Sequence, residues 1–351
     1  MPTIHDVAER AGVSPITVSR VINSSGPVSE KTRARVEAAI AEMNYVPNQL
    51  AQGLRSKRIK ILGLLVTDIT NPFFTTIARG AEDVASEAGY SVVFCNTDES
   101  VEKERKYLQL LVQQQVAGIL LVPARSEPAA IDFVQSHNVQ VVVLDRQVPG
   151  IEVDAVRCDS VGGAHQLVSH LLELGHRRIA LLNGPHGVST ADDRLAGYEH
   201  AMHEFGIHDY SDLVYSGSFS FVSGYQMAQQ VLATKPMPTA LFAANNFIAN
   251  GALNALHEHN LSVPDDMAMV CFDELPASMA SFPVLTTIAQ PAYALGQEAA
   301  RLLIARLSGE APGQRQEIIL PTTLIVRASR TSLLDRNDLC RLSEGAGMIQ
   351  T

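Results

Sequence analysis

Polar and aromatic side chains follow the apolar runs in the second part of the chain, and their types suit a small hydroxylated ligand. Carboxylate, amide and guanidinium groups together accept and donate hydrogen bonds, and aromatic faces cover apolar C–H surfaces. A sugar requires this mixture, so the pattern predicts a sugar site. Its candidate residues are Asn71, Phe73, Phe74, Asp145, Arg146, Arg194, Asn245, Asp273 and Gln290, with Phe219 in GSFSF as a weaker candidate ring.

Each of these positions also has a purely structural interpretation. An Asp or Asn at a strand end often caps a helix or forms a turn, and Phe73 is equally compatible with a hydrophobic core. The agreement of several such positions favours a binding site over separate structural explanations.

The elements that position these residues alternate between short apolar runs and longer helical stretches. The runs are ILGLLV, SVVFCN, AGILLV, VVVLD, RIALLN, TALFAA, MAMVCF and LTTIAQ. Continuous apolar strands separated by helices predict parallel sheets covered on both faces, and therefore an α/β fold. One unit extends from Ile61 to near Cys158, and a second extends from near Gly162 to Gln290. Ligands of such sheets bind beyond the carboxyl ends of the strands, which places the sugar site between two lobes.

The N-terminal segment has a different, all-helical pattern. Thr3 and Asp6 form a capping-box signal, and Gly12 is a typical helix end. Ser14 followed by Pro15 starts a second helix, and Ser29 caps a third. Two short helices joined by a tight turn and braced by a third predict a helix-turn-helix.

The charge is divided between these regions. Residues 1–60 contain 9 Lys and Arg against 5 Asp and Glu, whereas the remainder contains 18 against 32. The net charges are therefore +4 and −14. A basic head before an acidic body indicates that only the head meets a polyanion.

Two strings in the head closely resemble the DNA-binding domain of the lactose-repressor (LacI/GalR) family: TIHDVAERAGVSPITVSRVIN, then NYVPNQLAQGLRSK. The resemblance implies that Pro15, Ile16 and Arg20 read bases and that Thr17 and Ser19 contact phosphates. A guanidinium such as Arg20 can grip guanine through two hydrogen bonds, worth about 1–3 kcal/mol of discrimination. Many members carry polar side chains where Pro15 and Ile16 stand, so the operator sequence stays open.

The segment after Pro47 is too short to be a stable helix alone, because isolated helices below about 12–15 residues are marginal in water. The resemblance implies that it becomes helical on DNA and enters the minor groove through Ala51, Leu54 and Arg55. An ordinary linker is the alternative.

The body resembles the ribose-binding pattern of periplasmic sugar-binding proteins and sugar-responsive repressors. That resemblance implies that the chain returns to the first lobe near Pro291 and crosses back near Leu320. The expected domains are a helix-turn-helix over residues 1–46, a hinge over 47–60, an effector-binding and dimerisation body over 61–330 and a tail over 331–351. Val188 stands where purine-responsive members carry a cation, which disfavours a purine ligand.

Other chemistry has little support in the sequence. Neither G-x-G-x-x-G nor G-x-x-x-x-G-K-[ST] occurs, and the four cysteines are far apart. His200, His203, His257 and His259 lie in polar contexts without a matching ligand set, so they are expected at the surface. We expect no metal, no cofactor and no catalytic residue. With no signal peptide and no run of about 18 apolar residues, the expected location is the cytoplasm without a membrane contact.

Together these features predict a repressor of carbohydrate genes that binds double-stranded DNA at a pseudo-palindromic operator as a homodimer and responds to a sugar or sugar acid. A sugar-binding transport receptor and an enzyme built on the same lobes are the alternatives. The sequence leaves open the identity of the effector, the operator, and whether the effector releases or strengthens DNA binding.

Overall fold

A computed structural model describes residues 2–22, 25–45, 59–274 and 285–327 of the 351-residue chain. Contacts divide the chain into two compact units, with the boundary between Ile59 and Lys60. In the described ranges, no helix combines the length and the apolar character needed to cross a membrane.

The first unit contains three helices, α1 (Ile4–Ala11), α2 (Pro15–Ile22) and α3 (Glu30–Glu42). The predicted caps are confirmed: Thr3 and Asp6 form a capping box, Gly12 ends α1 at φ 62°, and Ser29 accepts a hydrogen bond from the Thr32 amide. The helices enclose a small core of Val7, Ala8, Ala11, Val18, Val21, Val36 and Ala39.

The second unit is an α/β structure, as predicted. Its strands are β1 (Ile59–Val66), β2 (Ser91–Asn96), β3 (Val116–Leu121), β4 (Gln140–Leu144), β5 (Asp154–Cys158), β6 (Ile179–Asn183), β7 (Val214–Ser216), β8 (Ala240–Ala243), β9 (Ala268–Phe272), β10 (Thr286–Ala289), β11 (Glu317–Leu320) and β12 (Thr323–Ile325). Its helices are α4 (Pro72–Glu87), α5 (Val101–Gln113), α6 (Ala129–Ser136), α7 (Ser160–Glu173), α8 (Ser189–Glu204), α9 (Phe221–Ala233), α10 (Asn246–Glu258) and α11 (Ala292–Ser308).

Two six-stranded sheets define two lobes. The first lobe has the strand order β11-β5-β4-β3-β1-β2, and the second has the order β12-β10-β9-β8-β6-β7. The two orders match strand for strand, so β1 corresponds to β6, β3 to β8 and β4 to β9. The last strands differ: β11 is parallel to β5, whereas β12 is antiparallel to β10.

The chain passes between the lobes three times: after β5, after β10 and between β11 and β12. These positions agree with the expected crossings near Pro291 and Leu320. Two of the crossings are tied together, because the Asp159 amide donates to the Leu320 carbonyl at 3.0 Å.

All eight apolar runs form strands, but β5, β7, β11 and β12 were not predicted. β5 contains Asp154 and Arg157, which interrupt its apolar pattern. β7 and β12 have three residues each, and β11 lies at the edge of its sheet. Such strands are specified by pairing within the folded sheet rather than by local hydrophobicity.

Candidate functional site

The outward face of α2 presents the residues predicted to meet DNA. Val18 and Val21 are buried beneath it, while the Ile16 side chain is 57% exposed and Arg20 is exposed. Pro15, Thr17 and Ser19 are half-buried along the same helix. The Ser14 hydroxyl accepts a hydrogen bond from the Thr17 amide at 3.3 Å, which fixes the start of the helix.

A polar depression beside α2 extends this surface to α3. Its polar and cationic lining consists of Ser14, Thr17, Arg20, Ser29, Thr32 and Arg35. Thr32 and Arg35 were not predicted, because nothing in the α3 pattern relates them to α2 before the helices pack. The hinge residues Ala51, Leu54 and Arg55 and the tail 331–351 lie outside the described residues.

The ten side chains predicted to hold a ligand line one cavity between the lobes. It contains about 450 Å³ of empty space, part of it open to solvent. The complete lining is Asp68, Asn71, Phe73, Phe74, Glu99, Asp145, Arg146, Thr190, Arg194, Phe219, Asn245, Phe247, Asp273 and Gln290.

Two buried carboxyl groups occupy corresponding places in the lobes. Asp145 follows β4 at φ 65°, and Asp273 follows β9 at φ 73°. The Asp145 amide donates a hydrogen bond to the Val156 carbonyl on β5, and the Asp273 amide donates one to the Ile288 carbonyl on β10, both at 2.9 Å. Asp and Asn are among the side chains best tolerated in this left-handed conformation.

Burial raises the pKa values of both carboxyl groups. The pKa of Asp145 rises to about 6, although the neighbouring Arg146 and Arg194 oppose that rise. The pKa of Asp273 also rises through burial, opposed by Arg194 and by a hydrogen bond from Gln290. The Gln290 Nε2 atom donates to Asp273 Oδ1 at 2.6 Å.

Arg146 is held mainly by its own lobe. Its side chain is 1% exposed, and its two terminal nitrogens donate to both oxygens of Glu99 at 2.8 and 2.6 Å. One of them also donates to the Pro123 and Ala124 carbonyls at 2.6 and 3.0 Å. Most of this guanidinium is therefore already neutralised and hydrogen-bonded.

Arg194, in contrast, is held by ring faces. Its guanidinium carbon lies 4.0 Å from the Phe272 ring centre and 5.7 Å from that of Phe219. One terminal nitrogen donates to the Ala244 carbonyl at 2.7 Å. Cation–π contacts of this kind become stronger when the cation is desolvated, and Arg194 is only 4% exposed.

The aromatic part of the lining has two components. Phe73 and Phe74 meet edge to face with ring centres 5.1 Å apart, and Phe74 also belongs to the core of the first lobe. Phe219 lies against Gly184, where an added Cβ would be 2.2 Å from the ring. The absent side chain at Gly184 therefore leaves room for the Phe219 ring.

Asn71 and Asn245 serve as helix caps while lining the cavity, so the structural interpretation of these two positions also holds. The Asn71 oxygen accepts from the Phe73 amide at 3.1 Å, and the Asn245 oxygen accepts from the Ile248 amide at 2.9 Å.

Three buried polar atoms of the lining have no hydrogen-bond partner among the residues that the structure describes. They are the Nε atoms of Arg146 and Arg194 and the Oε1 atom of Gln290. An unpaired buried donor or acceptor costs about 1–3 kcal/mol. A ligand that both accepts and donates hydrogen bonds would relieve this cost.

Asp68, Glu99, Thr190 and Phe247 complete the lining but were not predicted. Glu99 follows the carboxyl end of β2, so the rule that selected the other residues applies to it as well. The four histidines considered for a metal are exposed, as expected. Within the described ranges, no group of three or more His, Cys, Asp and Glu side chains could hold a metal ion.

Comparisons with known proteins support both units. Residues 3–48 match the family described as bacterial regulatory proteins, lacI family. Residues 168–330 match a periplasmic binding protein-like domain.

Similarity also extends over nearly the whole chain. A ribose operon repressor of Halalkalibacterium halodurans is 40% identical over 327 residues, which cover 93% of this chain and 96% of that protein. A lac repressor dimer bound to operator and an anti-inducer is similar with a TM-score of 0.82 and 33% identity, covering 93% and 98% of the two chains. A LacI family regulator from Enterococcus faecium with bound ribose is similar with a TM-score of 0.69 and 32% identity. The similarity covers 78% of this chain and 99% of that chain.

Proposed function

The chain belongs to the lacI family of bacterial regulatory proteins, and from that premise we propose that it represses carbohydrate-utilisation genes by binding a pseudo-palindromic operator under the control of a sugar. It acts in the cytoplasm as a homodimer. Membership of a family of regulators argues against the enzyme and the transport receptor, because neither requires a helix-turn-helix. The observation that carries the proposal is the convergence of ten predicted side chains on one cavity, in a chain that also presents a DNA-reading helix.

The DNA-binding part of the proposal assigns residues 1–46 to the reading head and 47–60 to the hinge. Arg20 and Ile16 are the exposed side chains of α2 that reach bases, with Pro15 beside them. Thr17 and Ser19 bind phosphates, together with Thr32 and Arg35 from the neighbouring depression. Ala51, Leu54 and Arg55 enter the minor groove.

The body, residues 61–330, binds the effector and forms the dimer, and residues 331–351 form a C-terminal tail. In the cavity, Asp145 and Asp273 accept hydrogen bonds from sugar hydroxyls, and the free Nε of Arg194 donates one. Phe73 and Phe219 cover the apolar faces of the ring.

Among the effector classes left open by the sequence, the charges favour an uncharged sugar over a sugar acid. The lining contains four carboxyl groups, at Asp68, Glu99, Asp145 and Asp273, against two guanidinium groups. Glu99 already engages Arg146 through two hydrogen bonds. A carboxylate ligand would add negative charge to a buried site and would compete for Arg194, whose charge already compensates Asp145 and Asp273.

A binding experiment tests the proposal. The full chain is mixed with a randomised duplex library, and selected sequences are confirmed by footprinting with and without D-ribose. We expect a two-fold symmetric footprint whose occupancy changes with D-ribose and not with D-ribonate. Failure to select any symmetric duplex, together with no heat of binding for any uncharged sugar, would remove the proposal.

A further inference from the structure

Helix α8 begins at a residue whose side chain cannot cap it. Val188 occupies its N-cap position and provides no side-chain hydrogen bond. The other second-lobe helices with described caps, α7, α9 and α10, are capped by Asp159, Ser220 and Asn245. The free amides at the start of α8 therefore need an acceptor from elsewhere.

The first lobe provides that acceptor. The hydroxyl of Ser126, in the loop after β3, accepts a hydrogen bond from the Ser189 amide at 2.8 Å. The Ser189 hydroxyl in turn accepts from the amide of Gln147, after β4, at 2.8 Å. A third bond joins the Ser126 amide to the Gly187 carbonyl at 3.3 Å. Two first-lobe loops thus converge on one helix start in the second lobe.

A related interlobe contact is present at the corresponding place, with the roles of the two lobes exchanged. Asn71, the cap of α4 after β1, accepts a hydrogen bond from Nδ2 of Asn246, which follows β8, at 3.1 Å. In both contacts, the helix follows the first strand of its own lobe, β1 or β6. The segment that it meets follows the third strand of the opposite lobe, β8 or β3. In the first lobe, however, the helix has its own cap at Asn71, whereas α8 is capped by Ser126 of the opposite lobe.

Ser126 and Ser189 do not line the cavity, but residues close to them in sequence do. Thr190 and Arg194, both on α8, line the cavity, and Arg146 directly precedes Gln147. Arg146 also donates to the Ala124 carbonyl, in the loop that carries Ser126. The interlobe hydrogen bonds therefore hold the start of the helix that carries two ligand-facing side chains.

We propose that Ser126 is an interlobe helix cap, which forms when the lobes close and determines how much effector is needed to close them. The inference rests on the proposed sugar-binding function. When only part of the population can adopt the binding-competent state, the apparent dissociation constant rises in inverse proportion to that fraction. The cap raises the fraction, so it strengthens effector binding without contacting the effector.

The test compares three variants of the full chain. Ser126→Ala removes the acceptor, and Ser126→Thr keeps a hydroxyl at that position. Ser136→Ala is the matched control, because it removes a serine hydroxyl that donates to the Phe133 carbonyl at 2.8 Å within the first lobe. Two quantities are measured: hydrogen exchange of the amides in residues 187–194, and the dissociation constant for D-ribose by calorimetry.

We expect Ser126→Ala to speed exchange at the start of α8 and to raise the D-ribose dissociation constant about fivefold, the effect of losing a typical helix cap. Ser126→Thr and Ser136→Ala should stay within twofold of the wild type. Unchanged exchange in Ser126→Ala, or an unchanged dissociation constant, overturns the proposal. If D-ribose does not bind the wild type, D-ribose is not the effector, and the exchange measurement alone then decides whether the interlobe cap exists.

Discussion

At the scale of single residues, the cavity places ionisable groups where their charge is costly. Asp145, Asp273, Arg146 and Arg194 are all buried. Burying charges requires partners of opposite charge or hydrogen bonds, and within the described part of the chain both arginines keep one nitrogen without a hydrogen bond. In the cavity, a bound ligand that accepts and donates hydrogen bonds would supply the missing partners.

Replacing Arg194 with Ala should abolish the response to sugar while operator binding remains. The substitution removes the donor between the Phe219 and Phe272 rings and leaves Asp145 and Asp273 with less compensation. We expect sugar affinity to fall about 100-fold, as for other buried charged hydrogen bonds. Calorimetry and gel-shift titration measure the two functions separately.

Arg178→Ala is the matched control for this change. Arg178 also lies in the second lobe, but it forms a partly exposed pair with Asp212 at 3.0 Å, a type of interaction that contributes little. Sugar binding that survived in the Arg194 variant would exclude Arg194 from the effector site.

Asp145→Asn should stabilise the protein at neutral pH and weaken sugar binding. Because the folded pKa is about 6, above the ordinary value of 3.8, the folded state binds more protons than the unfolded state between these values. The wild type therefore gains stability from this group as the pH falls through 6 and lacks that gain at pH 7.5. Asn removes the buried charge and tolerates φ 65°.

The measurements are melting temperatures and D-ribose affinities at pH 7.5 and pH 5.0. The melting temperature of Asp145→Asn should exceed that of the wild type at pH 7.5, and the difference should shrink at pH 5.0. Wild-type sugar affinity should weaken at the lower pH, whereas the variant should lose the part of this dependence that comes from Asp145. Asp132→Asn, at an exposed carboxylate of the first lobe, is the control. A stability difference that did not change with pH would contradict the assignment.

The site residues were partly predictable from the sequence for a physical reason. In parallel sheets, the carboxyl ends of the strands meet at one edge, so polar residues just after apolar runs can be grouped without knowing the topology. Thr190 lies in the first turn of α8, several residues after β6, and gives no such signal, whereas Phe247 stands two residues after Asn245, as Phe73 does after Asn71, so the same rule applies to it. The position of Thr190 at the cavity depends on how α8 packs.

At the scale of elements, two pairs of helices that cover the sheets, α4 with α11 and α9 with α10, contact each other at glycine residues. An added Cβ at Gly80 on α4 would lie 2.1 Å from the Tyr293 carbonyl oxygen on α11, and one at Gly251 on α10 would lie 2.0 Å from that of Phe221 on α9. These close approaches could not be predicted from periodicity, because the sequence shows a glycine inside a helix only as a residue of low helix propensity. The capping signals of α1 and α3 are local, and they were predictable.

Gly251→Ala should therefore destabilise the second lobe. The obstructing atoms are backbone atoms of α9, which cannot move aside as a side-chain end can. Overpacking of this kind costs about 1–3 kcal/mol, equivalent to a fall of about 5 °C in the melting temperature. Gly313→Ala is the control, since an added Cβ there meets nothing within 4 Å. Equal melting temperatures for the two variants would show that α9 and α10 separate easily.

At the scale of the whole molecule, the chain separates a basic head from an acidic body. Residues 1–60 have a net charge of +4, and the rest has −14. The phosphate backbone attracts the first and repels the second, so operator binding should be confined to residues 1–60. Control by a sugar then requires a coupling free energy between two sites on separate compact units.

That coupling must act equally in both directions, which gives a prediction for the full chain. If D-ribose changes operator affinity by a given factor, a saturating operator duplex must change D-ribose affinity by the same factor, expected in the range of about 5–150-fold. Calorimetric titration of D-ribose with and without the duplex, beside footprint titrations with and without D-ribose, measures both factors. A fragment that lacks residues 1–59 should bind D-ribose with one affinity whether or not the duplex is present, because the net negative charge of the body repels phosphates. An effect of the duplex on this fragment would mean that the body itself contacts DNA, and unequal factors in the full chain would mean that sugar and operator do not act on one shared equilibrium.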